Sequence, residues 1–202
     1  MAVSRVKTSS VLQGFPKYRS MLGGNAAYDP AATWLIQRQT LASNTATVTF
    51  SSIPSTYKHL QIRYIGRSTT TGTGVGDNLF INLNSDTGAN YTYHQILGDG
   101  STASATGATA QTRLNFQNAL PRNSVTSSVF GVGICDIHDY ASTTKNKTSR
   151  IFYGTDVNGT EGKVYLASGL WINTSAISSI TLAPQSNSFL AGSTFALYGM
   201  VG

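Results

Sequence analysis

The side chains of this sequence that can do acid–base or metal chemistry are few and widely spaced. It holds three histidines, eight carboxylates and one thiol. The closest grouping is Asp136, His138 and Asp139, while His94 precedes Asp99 by five residues. On a β-strand, Asp136 and His138 point to one face and Asp139 to the other, so the three do not converge on a metal ion. We interpret this stretch as a solvated strand end.

Motifs for hydrolysis or phosphate binding are also weak. No Gly-x-Ser-x-Gly elbow occurs, and the glycine-rich segment GTGVGD is not followed by the Lys-Ser/Thr of a phosphate-binding loop. Glu161, the single glutamate and the most plausible member of a glycosidase carboxylate pair, lies in the glycine-rich turn NGTEGK. The sequence therefore predicts no enzyme, no cofactor and no metal site.

The elements that carry these residues are predicted to be β-strands. Ser and Thr together number 50, whereas Glu occurs once and Lys six times, a balance that suits pleated surfaces and not helix surfaces. Ten or eleven short runs of β-branched and aromatic residues alternate with turn residues. The prediction is an all-β, antiparallel β-sandwich or jelly roll that forms one domain over residues 33–202.

Two strands and two loops of this domain can be placed in more detail. In KHLQIRYIG, the alternation of Leu60, Ile62 and Tyr64 with polar residues predicts one buried and one wet face. Cys135 lies in the apolar run VFGVGICDI and is expected in the core, without a disulfide. Residues 68–77 are predicted to be a long surface loop, and residues 98–111 a polar stretch that is either mobile or in contact with a neighbour.

Residues 1–32 are predicted to form an extended basic arm. Residues 1–28 contain four of the fourteen Lys and Arg residues and none of the acids. The segment lacks helical or strand periodicity, so it is expected to gain order against a partner, although a frayed terminus is the simpler alternative. Its candidate partner-binding residues are four cations, Arg5, Lys7, Lys17 and Arg19, and two aromatics, Phe15 and Tyr18. The two aromatics lie between glycines.

Charge and hydropathy argue against several partners. The formal charge is +6, but no dense Lys/Arg run occurs outside the arm, so nucleic acid is not expected. No signal-peptide core and no run of about 18 apolar residues is found, so neither export nor membrane insertion is indicated. We expect synthesis in the cytoplasm.

Three segments resemble small virion proteins of tailed bacteriophages, including those that infect cyanobacteria. These segments are LQGFPKYRSMLGGNAAYDP in the arm, TLASNTATVTFSSIPSTYKHLQIRYIGR in the first strand pair, and the ending GSTFALYGMVG. The combination of SIP-x-x-Y-K-x-L-x-I with FALYG carries the resemblance, which does not extend to the middle of the chain.

The resemblance implies a virion structural protein, and a homotrimer is expected because proteins of this kind commonly form trimers. We favour a capsid cement or decoration protein whose arm clamps the major capsid protein. Arg5, Lys7, Lys17 and Arg19 would then pair with acids of the shell, while Phe15 and Tyr18 fill apolar pockets. The alternative is a tail-fibre or receptor-binding component that contacts tail or baseplate proteins. Its loops at residues 68–77 and 98–111 would touch a host glycan, with Tyr91, Tyr93 and Trp171 as the candidate residues.

Overall fold

The structure, a computed structural model, describes residues 33–157 and 161–201. These residues form twelve strands and no helix. In chain order the strands are β1 (Thr33–Thr40), β2 (Val48–Phe50), β3 (His59–Gly66), β4 (Gly76–Leu83), β5 (Tyr91–Gly98), β6 (Ala103–Gln111), β7 (Leu114–Pro121), β8 (Gly131–His138), β9 (Lys147–Thr155), β10 (Lys163–Trp171), β11 (Ile180–Pro184) and β12 (Thr194–Met200).

The strands make two antiparallel sheets. The larger has eight strands in the order β1-β12-β3-β8-β9-β10-β5-β6, and the smaller has four in the order β2-β11-β4-β7. The predicted all-β sandwich is therefore confirmed. The jelly-roll form of the prediction is not confirmed by this strand order.

Alternation of side chains along the strands produces the core between the sheets. In β3, the predicted inward residues Leu60, Ile62 and Tyr64 are buried, and in β9 buried and exposed residues alternate along the strand. Aromatic rings fill much of the space. Tyr153 and Tyr165 stack with ring centroids 4.6 Å apart. Cys135 lies in the same core, as predicted, and burial raises the pKa of its thiol.

The two edges of the large sheet differ. At one edge, the side-chain amides of Gln37 and Gln39 on β1 donate to the carbonyls of Ser51 and Thr49, at 2.7 and 2.8 Å. These bonds join the edges of the two sheets. At the other edge, β6 consists of small and polar residues that are mostly exposed on both faces. The small sheet therefore does not cover this strand.

The structure corrects the prediction at two segments. Residues 98–111 are not one irregular stretch, because Ala103–Gln111 pair with β5 as strand β6. Backbone hydrogen bonds hold this strand although its small side chains bury little surface. Residues 68–77 are not wholly a surface loop either. Ser68 and Thr70 are buried and donate hydrogen bonds of 2.7 and 2.8 Å to the buried carboxylate of Asp77.

No helix among the residues that the structure describes has the length and apolar character needed to cross a membrane.

Candidate assembly surface

The residues predicted to bind a partner through the arm have no structural description. Arg5, Lys7, Phe15, Lys17, Tyr18 and Arg19 all lie outside the described residues. Their roles stay predictions.

The acid–histidine stretch at the end of β8 is used by the fold. Asp136 accepts hydrogen bonds from Gln61 at 2.7 Å and from Arg150 at 3.1 Å. Asp139, just beyond the strand, forms ion pairs with Lys58 and Lys145 at 2.9 and 2.6 Å. Each acid thus already has cationic or amide partners. Within residues 33–157 and 161–201, no three metal-ligating side chains come together.

His59 and His138 lie beside each other on the outer side of the large sheet. Their ring centroids are 4.9 Å apart, and Nδ1 of His59 accepts the backbone N–H of Asp139 at 3.0 Å. Burial, reinforced by the neighbouring His138, lowers the pKa of His59. This imidazole is therefore held neutral as a hydrogen-bond acceptor at neutral pH.

His94 and Asp99, five residues apart in sequence, have separate surroundings in the structure. His94 occupies an exposed position on β5, while the carboxylate of Asp99 accepts hydrogen bonds from the backbone amides of Ser101 and Thr102 in the turn that follows. These bonds lower the pKa of Asp99. The acid therefore stabilises the β5–β6 turn.

The aromatic residues proposed to contact a glycan are not on the surface. Tyr91, Tyr93 and Trp171 are all buried. Tyr91 and Trp171 pack with ring centroids 6.3 Å apart, and the hydroxyl of Tyr91 donates to the backbone of the β4–β5 turn. Burial raises the pKa of Tyr91 to about 12. The glycan-binding interpretation of these three residues is wrong, since they are part of the core.

Two cations are also withdrawn into the fold. Arg67 and Lys147 are each almost fully buried, and the charged group of each donates to three backbone carbonyls. Burial lowers the pKa of both side chains. Their charges stabilise loops and do not contribute to a basic surface, which the sequence alone could not reveal.

The most unusual surface of the described residues is the outer face of the large sheet. Outward positions of such a sheet are normally polar when they face water. Here seven large apolar side chains on five neighbouring strands are exposed, and we call them the apolar band. They are Ile65 on β3, Val132 and Ile134 on β8, Phe152 on β9, Val164 and Leu166 on β10, and Ile96 on β5.

Strand register places the apolar band in two adjacent rows. In the first row, Ile134 pairs with Phe152, Phe152 with Leu166, and Leu166 with Ile96. In the second, Ile65 pairs with Val132, while Val164 lies between Gly154 and Gly98. Directly opposed side chains on neighbouring strands are about 5 Å apart, so the band is continuous. Phe152 is its most exposed member, at 59%.

Polar residues border the apolar band. Arg63 continues the first row on β3, and its guanidinium lies 4.9 Å from the ring centroid of Tyr198. The neighbouring row holds Gln61, Asp136 and Arg150, which are joined by hydrogen bonds. An apolar centre with a hydrogen-bonded polar border is the usual composition of a protein–protein interface. Exposed apolar surface of this extent marks an interaction site on soluble proteins.

The sequence contained a signal for this surface. In VFGVGICDI, apolar residues occupy both alternating sets of positions, which predicts a strand with two apolar faces. Only one face of β8 is covered by the small sheet, so Val132 and Ile134 remain exposed. The pattern shows that both faces need a covering layer, but it does not identify that layer.

Comparison with protein-family models, with curated proteins and with solved structures gave no match for this chain.

Proposed function

We propose that this chain is a non-enzymatic structural protein of a phage virion, a capsid cement or decoration protein that clamps the major capsid protein through its N-terminal arm. The observation that carries the structural role is the apolar band, because such a surface suits assembly with other protein. The assignment to a phage capsid rests on the resemblance of the arm, the first strand pair and the C-terminal segment to virion proteins.

The distribution of charge supports an acidic target for the arm. Residues 1–28 have a formal charge of +4, and residues 33–202 hold ten Lys and Arg against seven Asp and Glu, a formal charge of +3. Both parts are positive, so long-range electrostatics do not draw the arm onto its own domain. An acidic shell surface attracts the arm and the domain alike.

Several arms on one assembly would give tight attachment from weak contacts. Each arm offers only a short segment of anchoring residues. When two or more copies are joined, binding of the first arm raises the effective concentration of the next at neighbouring capsid subunits. Clamping of this kind requires no covalent chemistry. In it, the apolar band joins the copies, and their arms bind the capsid subunits.

The tail-borne alternative has less support. Its glycan-binding candidates Tyr91, Tyr93 and Trp171 are buried, so a receptor site would have to use other residues. The two roles also differ in abundance, since a cement protein covers the head and a fibre protein occurs in few copies. Because the glycan candidates are buried and the basic arm suits an acidic capsid surface, we prefer the cement role.

Binding of full-length variants to purified particles tests the role of the arm. The double variant Phe15→Ala with Tyr18→Ala removes both proposed anchors, and Tyr28→Ala is a matched control that removes an aromatic ring from the same segment. We expect the double variant to bind on the order of 30-fold more weakly, as for loss of an interface hot spot, and the control to bind normally. Equal binding by wild type and double variant would contradict the proposed clamp.

A further inference from the structure

The outer face of the large sheet is asymmetric about β10, the sixth of its eight strands. On the β8–β9 side, the exposed residues Val132, Ile134 and Phe152 are bulky. On the β5–β6 side, the corresponding positions include Gly98, Ala103 and Ala105, with Ile96 as the bulky member. The face therefore has a raised half and a low half.

Glycine at position 98 is not required by the chain itself. A Cβ atom built there would meet only Cγ1 of Val164, at the ordinary contact distance of 3.9 Å, and the backbone is not in the left-handed region. Gly133 is the opposite case, because a Cβ there would overlap the buried ring of Tyr64. The missing side chain at Gly98 leaves space on the outer surface for a group from another molecule.

This space is part of a groove on the low half of the face. The groove has a volume of about 530 Å³ and is bounded by Phe152. Its other outward-facing lining residues are Ile96, Gly98, Ala103, Ala105, Val164 and Leu166. A protruding aromatic ring on β9 and an apolar groove that extends from β10 to β6 thus lie side by side on one surface.

We infer that the apolar band binds a second copy of this chain, in a two-fold dimer that packs the two eight-stranded sheets face to face. A two-fold axis along β10 places the raised half of each copy over the low half of the other. Phe152 of each protomer then enters the groove of its partner. A two-fold interface needs a patch that is complementary to itself, and this face provides both the knob and the groove.

The size of the face fits a stable dimer. The five strands centred on β10, from β8 to β6, lie about 4.8 Å apart and are about eight residues long at about 3.4 Å per residue. They cover about 24 by 27 Å, or roughly 650 Å² in projection. Side-chain relief makes the accessible area larger. A standard interface buries about 800 Å² per partner, so the whole face with its polar border is of the right size.

Charge does not oppose this packing. None of the seven residues of the apolar band is charged, so the centre of the interface holds no unpaired charge although each domain is positive overall. Asp136 and Arg150 in the border are already joined to each other. The inference rests on the proposed structural function, and it replaces the homotrimer expected from the resemblance with a dimer.

Sedimentation equilibrium of the full-length protein tests the inference. The chain mass is 21.4 kDa, and we expect the wild type to have twice this mass at micromolar concentration. Phe152→Ser removes the knob and Gly98→Val fills the groove, so each should weaken dimerisation on the order of 30-fold or more. Ile172→Ser is the matched control, since Ile172 is 50% exposed but follows β10, outside the band.

Near-UV circular dichroism checks that each variant keeps its fold. Gly98→Val removes no side chain, so it tests the groove without loss of packing inside the protomer. A wild-type mass of one or three chains would overturn the dimer, and so would a dimer that both variants leave unchanged. Particle binding separates this result from the proposed function. A monomer that binds particles contradicts only the dimer, whereas a dimer that binds no particle contradicts only the capsid role.

Discussion

The indole Nε1–H of Trp171 donates a hydrogen bond of 2.7 Å to a carboxylate oxygen of Asp86. The same oxygen accepts from the side-chain amide of Asn90 at 2.9 Å, and the other oxygen accepts the backbone N–H of Gly88. The acid thus joins the β4–β5 turn to the end of β10. The bonds from Trp171 and Asn90 hold the pKa of Asp86 below its usual range.

Replacement of Asp86 should destabilise the fold measurably. Asp86→Ala leaves the buried indole N–H of Trp171 without its acceptor, and we expect a loss of about 1–3 kcal/mol in the free energy of unfolding. Asp86→Asn keeps an acceptor oxygen and should lose less. Urea unfolding followed by tryptophan fluorescence measures both. Equal stability of Asp86→Ala and wild type would show that the bond contributes nothing.

The buried ammonium of Lys147 gives a second prediction. It donates to the carbonyls of Ser142, Lys145 and Thr174 at 2.8, 2.6 and 3.0 Å. Lys147→Met keeps the aliphatic stem but leaves these carbonyls without a donor, so we expect a loss of about 2–5 kcal/mol.

Lys145→Met is the matched control, because Lys145 is an exposed lysine two residues away in an ion pair with Asp139. It should cost less than about 1 kcal/mol. Chemical denaturation compares the two variants. Similar losses from both would contradict a special role for the buried ammonium.

Two glycines on the large sheet predict opposite responses to alanine. Gly133→Ala places a methyl group against the buried ring of Tyr64, so overpacking should cost about 1–3 kcal/mol. Gly98→Ala meets no such obstacle and should leave the monomer as stable or slightly more stable. Thermal unfolding at a concentration where the protein is monomeric tests the pair. A stable Gly133→Ala variant would contradict the described packing of β3 on β8.

Stability should fall in acid partly through Asp139. The bonds and charges of Lys145 and Lys58 lower the pKa of this carboxyl in the folded state below its ordinary value of 3.8. The unfolded chain therefore binds the proton more readily, so the contribution is present above about pH 4 and is lost as pH falls toward the lowered folded pKa.

Asp139→Asn removes this contribution at every pH. The difference in urea midpoint between wild type and Asp139→Asn should therefore be present at about pH 7 and shrink by about pH 2.5. A difference of the same size at both pH values would show that the ion pairs do not cause it.

Local patterns predicted most of the sandwich because strand alternation is written in neighbouring residues. Leu60, Ile62 and Tyr64 follow a strict two-residue period and lie inward as expected. β6 was missed because Ala103–Gln111 lacks large side chains, and its pairing with β5 depends on backbone bonds that sequence does not display. Sheet order depends on contacts between distant segments, so it could not be predicted from these patterns.

The candidate surface was less predictable for the same reason. The exposed position of Phe152 depends on which face the small sheet covers, and the two-sided apolar pattern of β8 is equally consistent with burial on both sides. The roles of Asp86 and Lys147 depend in part on partners far along the chain, Trp171 at 85 residues from Asp86 and Thr174 at 27 residues from Lys147. Such long-range contacts leave no pattern among neighbouring residues of the sequence.

The most direct test of the proposed virion role is the number of copies of this protein per purified particle, measured by gel densitometry against the major capsid protein, with and without tails. We predict hundreds of copies that remain after the tails are removed. A handful of copies that are lost with the tails would contradict the capsid assignment and move the protein to the fibre apparatus, and absence from the particle would contradict the virion role itself.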